Sequence, residues 1–138
     1  MALFLSACDL PQPPPDLFYK FDVMPVGKGP AHLLTADLNL DGEPDLVSTN
    51  AKNSSLTLLF GKGDGSFHAG STIKVAIEPT MSTVGDVNRD GIPDLVVNSR
   101  GSERFLVFLG KGNSKFMRPL ATKTGKVPLN IILGDYNE

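Results

Sequence analysis

Two stretches of this 138-residue chain, DLNLDGEPD at residues 37–45 and DVNRDGIPD at residues 86–94, decide how the rest is read. In each, positions 1, 3, 5 and 9 carry oxygen-bearing side chains: Asp37, Asn39, Asp41 and Asp45 in the first, Asp86, Asn88, Asp90 and Asp94 in the second. Glycine at position 6 lets the backbone turn sharply, so alternate side chains converge on one point. The backbone carbonyl at position 7, Glu43 or Ile92, can add another ligand. A donor set made only of oxygen suits Ca2+, which takes about 6–8 oxygens in flexible geometry, better than Mg2+, which gives up its waters reluctantly.

Electrostatics point the same way. Residues 37–45 hold four acids and no base, and residues 86–94 hold three acids and Arg89, giving local charges of −4 and −2. Like charges at this spacing repel by roughly 1 kcal/mol per pair even in water. A divalent cation turns that repulsion into attraction and links metal binding to folding. Charge count predicts tighter binding at the first loop.

Asp, Asn and Gly are also plain turn formers, but two complete copies at a fixed interval are hard to reconcile with turn chemistry alone. Helical calcium loops share the first six positions. They diverge afterwards, because position 12 is Ser48 or Val97 where an EF-hand needs a bidentate Glu. The exit through Pro44-Asp45-Leu46-Val47 favours a strand over a helix.

Working outward, the two loops belong to a repeat. Asp37, Asp86 and Asp135 are 49 residues apart, as are Pro30, Pro79 and Pro128, and Phe18, Phe67 and Phe116. Superposing residues 30–67 on 79–116 gives thirteen identities in thirty-eight positions, most of them Gly, Pro, Asp or Asn. Loop geometry and ligands are thus repeated more faithfully than core residues. Short apolar runs such as Leu56-Thr57-Leu58-Leu59-Phe60 and Phe105-Leu106-Val107-Phe108-Leu109, each stopped by glycine, read as strands covered on both faces. A strand precedes each Asp loop, another leaves it, and a fourth is expected to start at Phe67 and Phe116.

Each unit is therefore about four antiparallel strands, a sheet that is not stable alone in water and must be covered by its neighbours. The fold class predicted is all-β: a partial β-propeller with two complete four-stranded antiparallel blades, flanked by strands of incomplete blades. The expected divisions are a lone outer strand over 18–29, blades over 30–78 and 79–127, and an incomplete blade over 128–138. The absence of Trp argues against a WD-type blade, and the lack of a Gly-Gly pair against kelch. Two units are fewer than a closed ring needs, which predicts a fragment of a longer propeller or assembly of several copies.

The ordered set DxNxDGxPDLV, then Phe60-Gly61 or Leu109-Gly110, then GKGDGSF at 61–67 resembles the FG-GAP/VCBS repeats of integrin α-like β-propellers. The resemblance covers residues 18–138. It implies a seven-bladed propeller, with six or eight blades as alternatives, Ca2+ in the loops between the first two strands of each blade, and a role in adhesion or extracellular recognition. Members also occur as non-catalytic parts of secreted enzymes. Asp135 and Asn137 match the start of a third loop whose other ligands are missing, giving an incomplete metal site.

Composition sets the outer limits. With 13 Lys+Arg against 15 Asp+Glu, the net charge of −2 offers no basic footprint for nucleic acid or anionic lipid. One Cys and two His exclude an internal disulfide and a Cys/His zinc site of the usual spacing. No run approaches the roughly 18 apolar residues of a membrane-spanning helix.

The N-terminal Leu5-Ser6-Ala7-Cys8, followed by a proline-rich piece, resembles a bacterial lipobox. Residues 1–17 then read as a truncated lipoprotein-type signal and linker with Cys8 lipidated. GKGDG and GKGNS lack the pattern of a phosphate loop and read as hairpin turns. His32 and His68 are not repeated, and an acid pair present in every unit is a poor candidate for a single active site.

The function expected is a non-catalytic, calcium-binding extracellular module for adhesion, ligand binding or scaffolding. The alternatives are a non-catalytic propeller part of a secreted carbohydrate-active enzyme, or a non-functional gene fragment. Expected partners are an extracellular protein or glycan, the missing blades of a longer chain, and a membrane only through a lipid anchor.

Overall fold

The computed structural model describes residues 23–126 and 128–134. Eight strands follow one another: β1 (Pro30–Ala36), β2 (Asp45–Asn50), β3 (Ser55–Gly61), β4 (Phe67–Lys74), β5 (Pro79–Gly85), β6 (Asp94–Ser99), β7 (Arg104–Phe108) and β8 (Leu120–Lys123). They form two four-stranded antiparallel sheets in the orders β1-β2-β3-β4 and β5-β6-β7-β8. A single 3₁₀ turn at Arg100–Ser102 is the one helical element among the described residues. The described residues are all-β, with two meandering sheets consistent with partial propeller blades and, among them, no closed barrel.

Alternation along the central strands explains how the sheets meet. In β2 and β3, Val47, Leu56 and Leu58 face the second sheet. From β6 and β7, Leu95, Val97, Leu106 and Phe108 face back, and all belong to one buried cluster that also includes Leu38. Burying each such side chain contributes about 1.5–3 kcal/mol, so the sheets stabilise each other. Strand β5 lies against β1 and β2, and the Thr49 and Ser82 hydroxyls share a hydrogen bond of 2.8 Å across the gap. The outer strands β4 and β8 are mostly exposed, as befits sheet edges remote from this contact.

Turn chemistry sets the hairpins. Between β3 and β4, Gly63 and Gly65 take positive φ and Lys62 N–H donates to the Ser66 carbonyl at 3.1 Å. In the equivalent turn, Asn113 and Ser114 are left-handed and Lys111 N–H donates to Lys115 at 2.8 Å. Asn tolerates this conformation better than most residues, which lets Asn-Ser replace Asp-Gly.

Three elements differ from the expectation. The fourth strand of the second sheet starts at Leu120 and not at Phe116, which makes only an isolated bridge with Gly110. Pro119 lies between, and a residue without N–H interrupts the ladder. Residues 23–29, within the segment expected as a lone outer strand, form no strand. Their polar groups go instead to the first sheet: Gly27 N–H donates to Thr57 Oγ1 at 3.2 Å, and the Gly29 and Lys28 carbonyls accept from Ala51 and Lys52. Residues 128–134, expected to open another blade, also form no strand. They run beside β6, where Asn98 Nδ2 donates to the Pro128 carbonyl at 2.6 Å. Cys8, Asp135 and Asn137 lie outside the described residues, as does the segment 1–17.

Candidate metal centre

Each Asp-rich stretch is the loop joining the first two strands of its sheet: 37–44 between β1 and β2, 86–93 between β5 and β6. The two loops curl alike. Asp37 accepts the N–H of Asp41 on Oδ1 at 3.1 Å and of Gly42 on Oδ2 at 2.9 Å, and Asn39 Oδ1 accepts the same Asp41 N–H at 2.9 Å. Asp41 Oδ1 accepts the Glu43 N–H at 2.8 Å, and Asn39 Nδ2 donates to Asp41 Oδ2 at 2.7 Å. In the second loop Asp86 accepts from Asp90 at 3.1 Å and Gly91 at 2.7 Å, Asn88 Oδ1 accepts from Asp90, and Asp90 accepts from Ile92 at 2.8 Å. The Asp86 carboxyl is held below the ordinary aspartate range, chiefly by the Gly91 N–H and then by the Asp90, Arg89 and Asn88 N–H groups, against the opposing pull of desolvation.

The curl needs two left-handed residues per loop. Gly42 and Gly91 have φ of 89° and 80°, as position 6 requires, but Leu40 and Arg89 also sit at φ 62°. A β-region residue at position 4 would turn the first and fifth side chains apart, so this residue is as necessary to the loop as the glycine. Sequence reading missed it, since neither Leu nor Arg advertises a left-handed site.

Asp45 and Asp94 behave differently from the other acids. Both are fully buried. Asp45 Oδ2 accepts the Leu38 N–H at 2.9 Å and Oδ1 the Gly61 N–H at 2.9 Å. Asp94 repeats this with Val87 at 2.9 Å and Gly110 at 2.7 Å. A carboxylate without solvent is tolerated because each oxygen receives a hydrogen bond, and such charge-assisted bonds are among the stronger ones.

The glycine at the end of β3 is part of the same device. A Cβ on Gly61 would collide with the Pro44 carbonyl, and one on Gly110 would lie 2.5 Å from that of Pro93. These glycines are the functional residues that sequence reading passed over as strand stops. Their constant interval of 16 residues from Asp45 and Asp94 was the available signal.

The structure thus brings Asp37, Asn39 and Asp41 together at the exposed rim of the loop, and likewise Asp86, Asn88 and Asp90, while Asp45 and Asp94 point beneath it. Among the described residues no three His, Cys, Asp or Glu side chains converge into a metal cage. The donor chemistry nevertheless fits a hard cation. The rim offers only oxygen acceptors and the Asn amide, and each carboxylate oxygen that takes one N–H keeps further acceptor capacity.

Of the two histidines, neither forms part of these loops. His68 lies against the Phe60 ring with centroids 5.4 Å apart, and His32 Nδ1 is buried without a hydrogen-bond partner.

Four-stranded meanders joined in series, each with the same curled Asp loop between its first two strands, define a propeller-like repeat protein. Residues 37–97, from the first Asp loop through the second and into β6, match the family model described as FG-GAP-like repeat, which supports an FG-GAP repeat protein. The chain has no significant match among curated proteins or solved structures.

Proposed function

We propose that this chain is a non-catalytic segment of an exported β-propeller that binds Ca2+ in its Asp loops and presents its loop face to an extracellular protein or glycan. The observation that carries the reading is the duplication of one hydrogen-bonded loop conformation at both β1–β2 and β5–β6. Asp37, Asn39, Asp41 and the Glu43 carbonyl would hold one ion, with Asp45 from below, and Asp86, Asn88, Asp90, the Ile92 carbonyl and Asp94 the other. The ion would neutralise the clustered acids and tie the first two strands of each sheet together. Repetition supports a structural over a catalytic role for the acids. The N-terminal lipobox-like residues support lipidation at Cys8 and tethering to a bacterial membrane.

Calorimetric titration of the chain with CaCl2, alongside thermal melts with Ca2+ and with chelator, tests this. Saturable binding and a higher melting temperature with Ca2+ are expected. Identical melts and no heat of binding would refute the proposal.

A further inference from the structure

We infer that the groove between β4 of the first sheet and the segment joining β7 to β8 of the second binds a carboxylate-bearing sugar, a uronate unit of an acidic glycan. This deepens the reading above, on which it rests for the class of partner, and it requires no Ca2+. The groove is a cavity of about 340 Å³, within the usual range for small-molecule sites. Ile73 of β4 lines one side, and Lys111, Ser114, Lys115, Phe116 and Met117 line the other.

The turn on this groove differs in charge from its counterpart 49 residues earlier. GKGDGS at 61–66 carries one Lys and one Asp, and the Asp64 carboxylate accepts both the Ser66 hydroxyl and the Ser66 N–H. GKGNSK at 110–115 has Asn113 in place of that Asp and Lys115 in place of that Ser, so the net charge rises from 0 to +2. Lys111 and Lys115 are exposed and, among the described residues, form no ion pair. Ser114 stands where the first turn has Gly65. A Cβ on Gly65 would meet nothing within 4 Å, whereas Ser114 is 9% exposed and its Oγ is buried with no hydrogen-bond partner. A buried hydroxyl without a partner is costly, and a ligand oxygen in the cavity supplies one. Ser114 also takes φ 54°, a conformation that glycine adopts without strain. The second turn thus carries a strained residue and an unpaired hydroxyl beside two unpaired cations.

These groups select by type. Two ammonium groups attract an anion and act on it as point charges. The Ser114 hydroxyl, both donor and acceptor, suits a sugar hydroxyl. Phe116 and Met117, the latter 47% exposed, offer with Ile73 an apolar wall to the C–H face of a ring. A uronate joins carboxylate, hydroxyls and ring in one unit. A neutral sugar leaves the lysines unused, and an acidic peptide side chain brings neither ring nor hydroxyls.

Calorimetric titration of the full chain with tetragalacturonate tests the inference, with galactotetraose and tetraglutamate as comparisons. It is run in chelator, below the melting temperature measured there, so that neither the Asp loops nor Ca2+-bridged uronates take part. Saturable binding of tetragalacturonate alone is expected, weaker at high salt. Lys111→Ala and Lys115→Ala should each weaken it about twofold to fivefold, and Lys62→Ala, the matching lysine of the first turn, should bind as the wild type does. Ser114→Gly restores the residue of the first turn. It should raise the melting temperature yet weaken binding about threefold or more, a split that a purely structural role for the hydroxyl does not produce. The inference is overturned by no binding of tetragalacturonate, by equal binding of galactotetraose or tetraglutamate, by equal weakening in Lys62→Ala, or by unchanged binding in Ser114→Gly. Any of these leaves the Ca2+ titration above untouched, so the two readings fail separately.

Discussion

The Asp45 carboxylate accepts the Gly61 N–H at 2.9 Å, binding the first residue of β2 to the end of β3. Asp94 and Gly110 repeat the bond at 2.7 Å. The aspartate of the Pro-Asp pair and the glycine that ends the third strand are thus two halves of one clamp. Asp45→Ala should leave the Leu38 and Gly61 N–H groups without acceptors and destabilise the chain by about 2–4 kcal/mol. Asp37→Ala, at the rim, should cost about 1 kcal/mol or less without Ca2+. Urea unfolding in chelator measures both, and equal losses would remove the distinction between clamp and rim.

Gly61 is also a steric requirement. Gly61→Ala drives a methyl group into the Pro44 carbonyl and is expected to destabilise by about 2 kcal/mol or more. Gly125, with nothing within 4 Å of a Cβ, should accept Ala within about 0.5 kcal/mol. Chemical denaturation of the two variants side by side makes the comparison.

Leu40 holds φ 62° with its side chain 58% exposed. Leu40→Asn keeps the loop shape while lowering the strain of a left-handed residue, and should stabilise by about 0.5–1 kcal/mol in the absence of metal. A melting temperature below that of the wild type counts against the left-handed assignment.

If the loops hold Ca2+ as proposed, the more acidic first loop should bind more tightly. Titrating Asp86→Ala, which keeps the first site, should give higher affinity than Asp37→Ala, which keeps the second. The reverse order would show that charge count does not rank the sites.

The Asp64 carboxyl in the β3–β4 turn is held below the ordinary aspartate range, first by the Ser66 hydroxyl at 2.6 Å and then by the Ser66 N–H at 2.9 Å. Because its folded pKa is depressed, its contribution to stability is present above the unfolded pKa and lost as pH falls through the folded value. Ser66→Ala should raise the Asp64 titration midpoint, read by carboxyl NMR. An unmoved midpoint would show that the hydroxyl is not the cause.

Much of this was legible in one dimension. The Asp loops, the glycine-bounded strands and their 49-residue recurrence are local signals. Turn formers act within a few residues, and a strand's pattern is written along itself. The sequence alone thus determined an all-β repeat with oxygen-rich loops. It did not determine which acids face solvent. Asp37 and Asp45 look equivalent in DLNLDGEPD, yet Asp45 turns inward because the N–H that claims it belongs to Gly61, a strand away. Nor did the continuous apolar run of β3 reveal that Leu56 and Leu58 meet the second sheet while Thr57 looks away. Sidedness comes from what each face touches, and those partners lie in other strands and another sheet. The tertiary structure alone decided that Val47, Leu56 and Leu58 are buried against Leu95, Val97, Leu106 and Phe108 of the second sheet, while Ser48, Asn50, Ser55 and Thr57 on the opposite side of the same strands bond to one another.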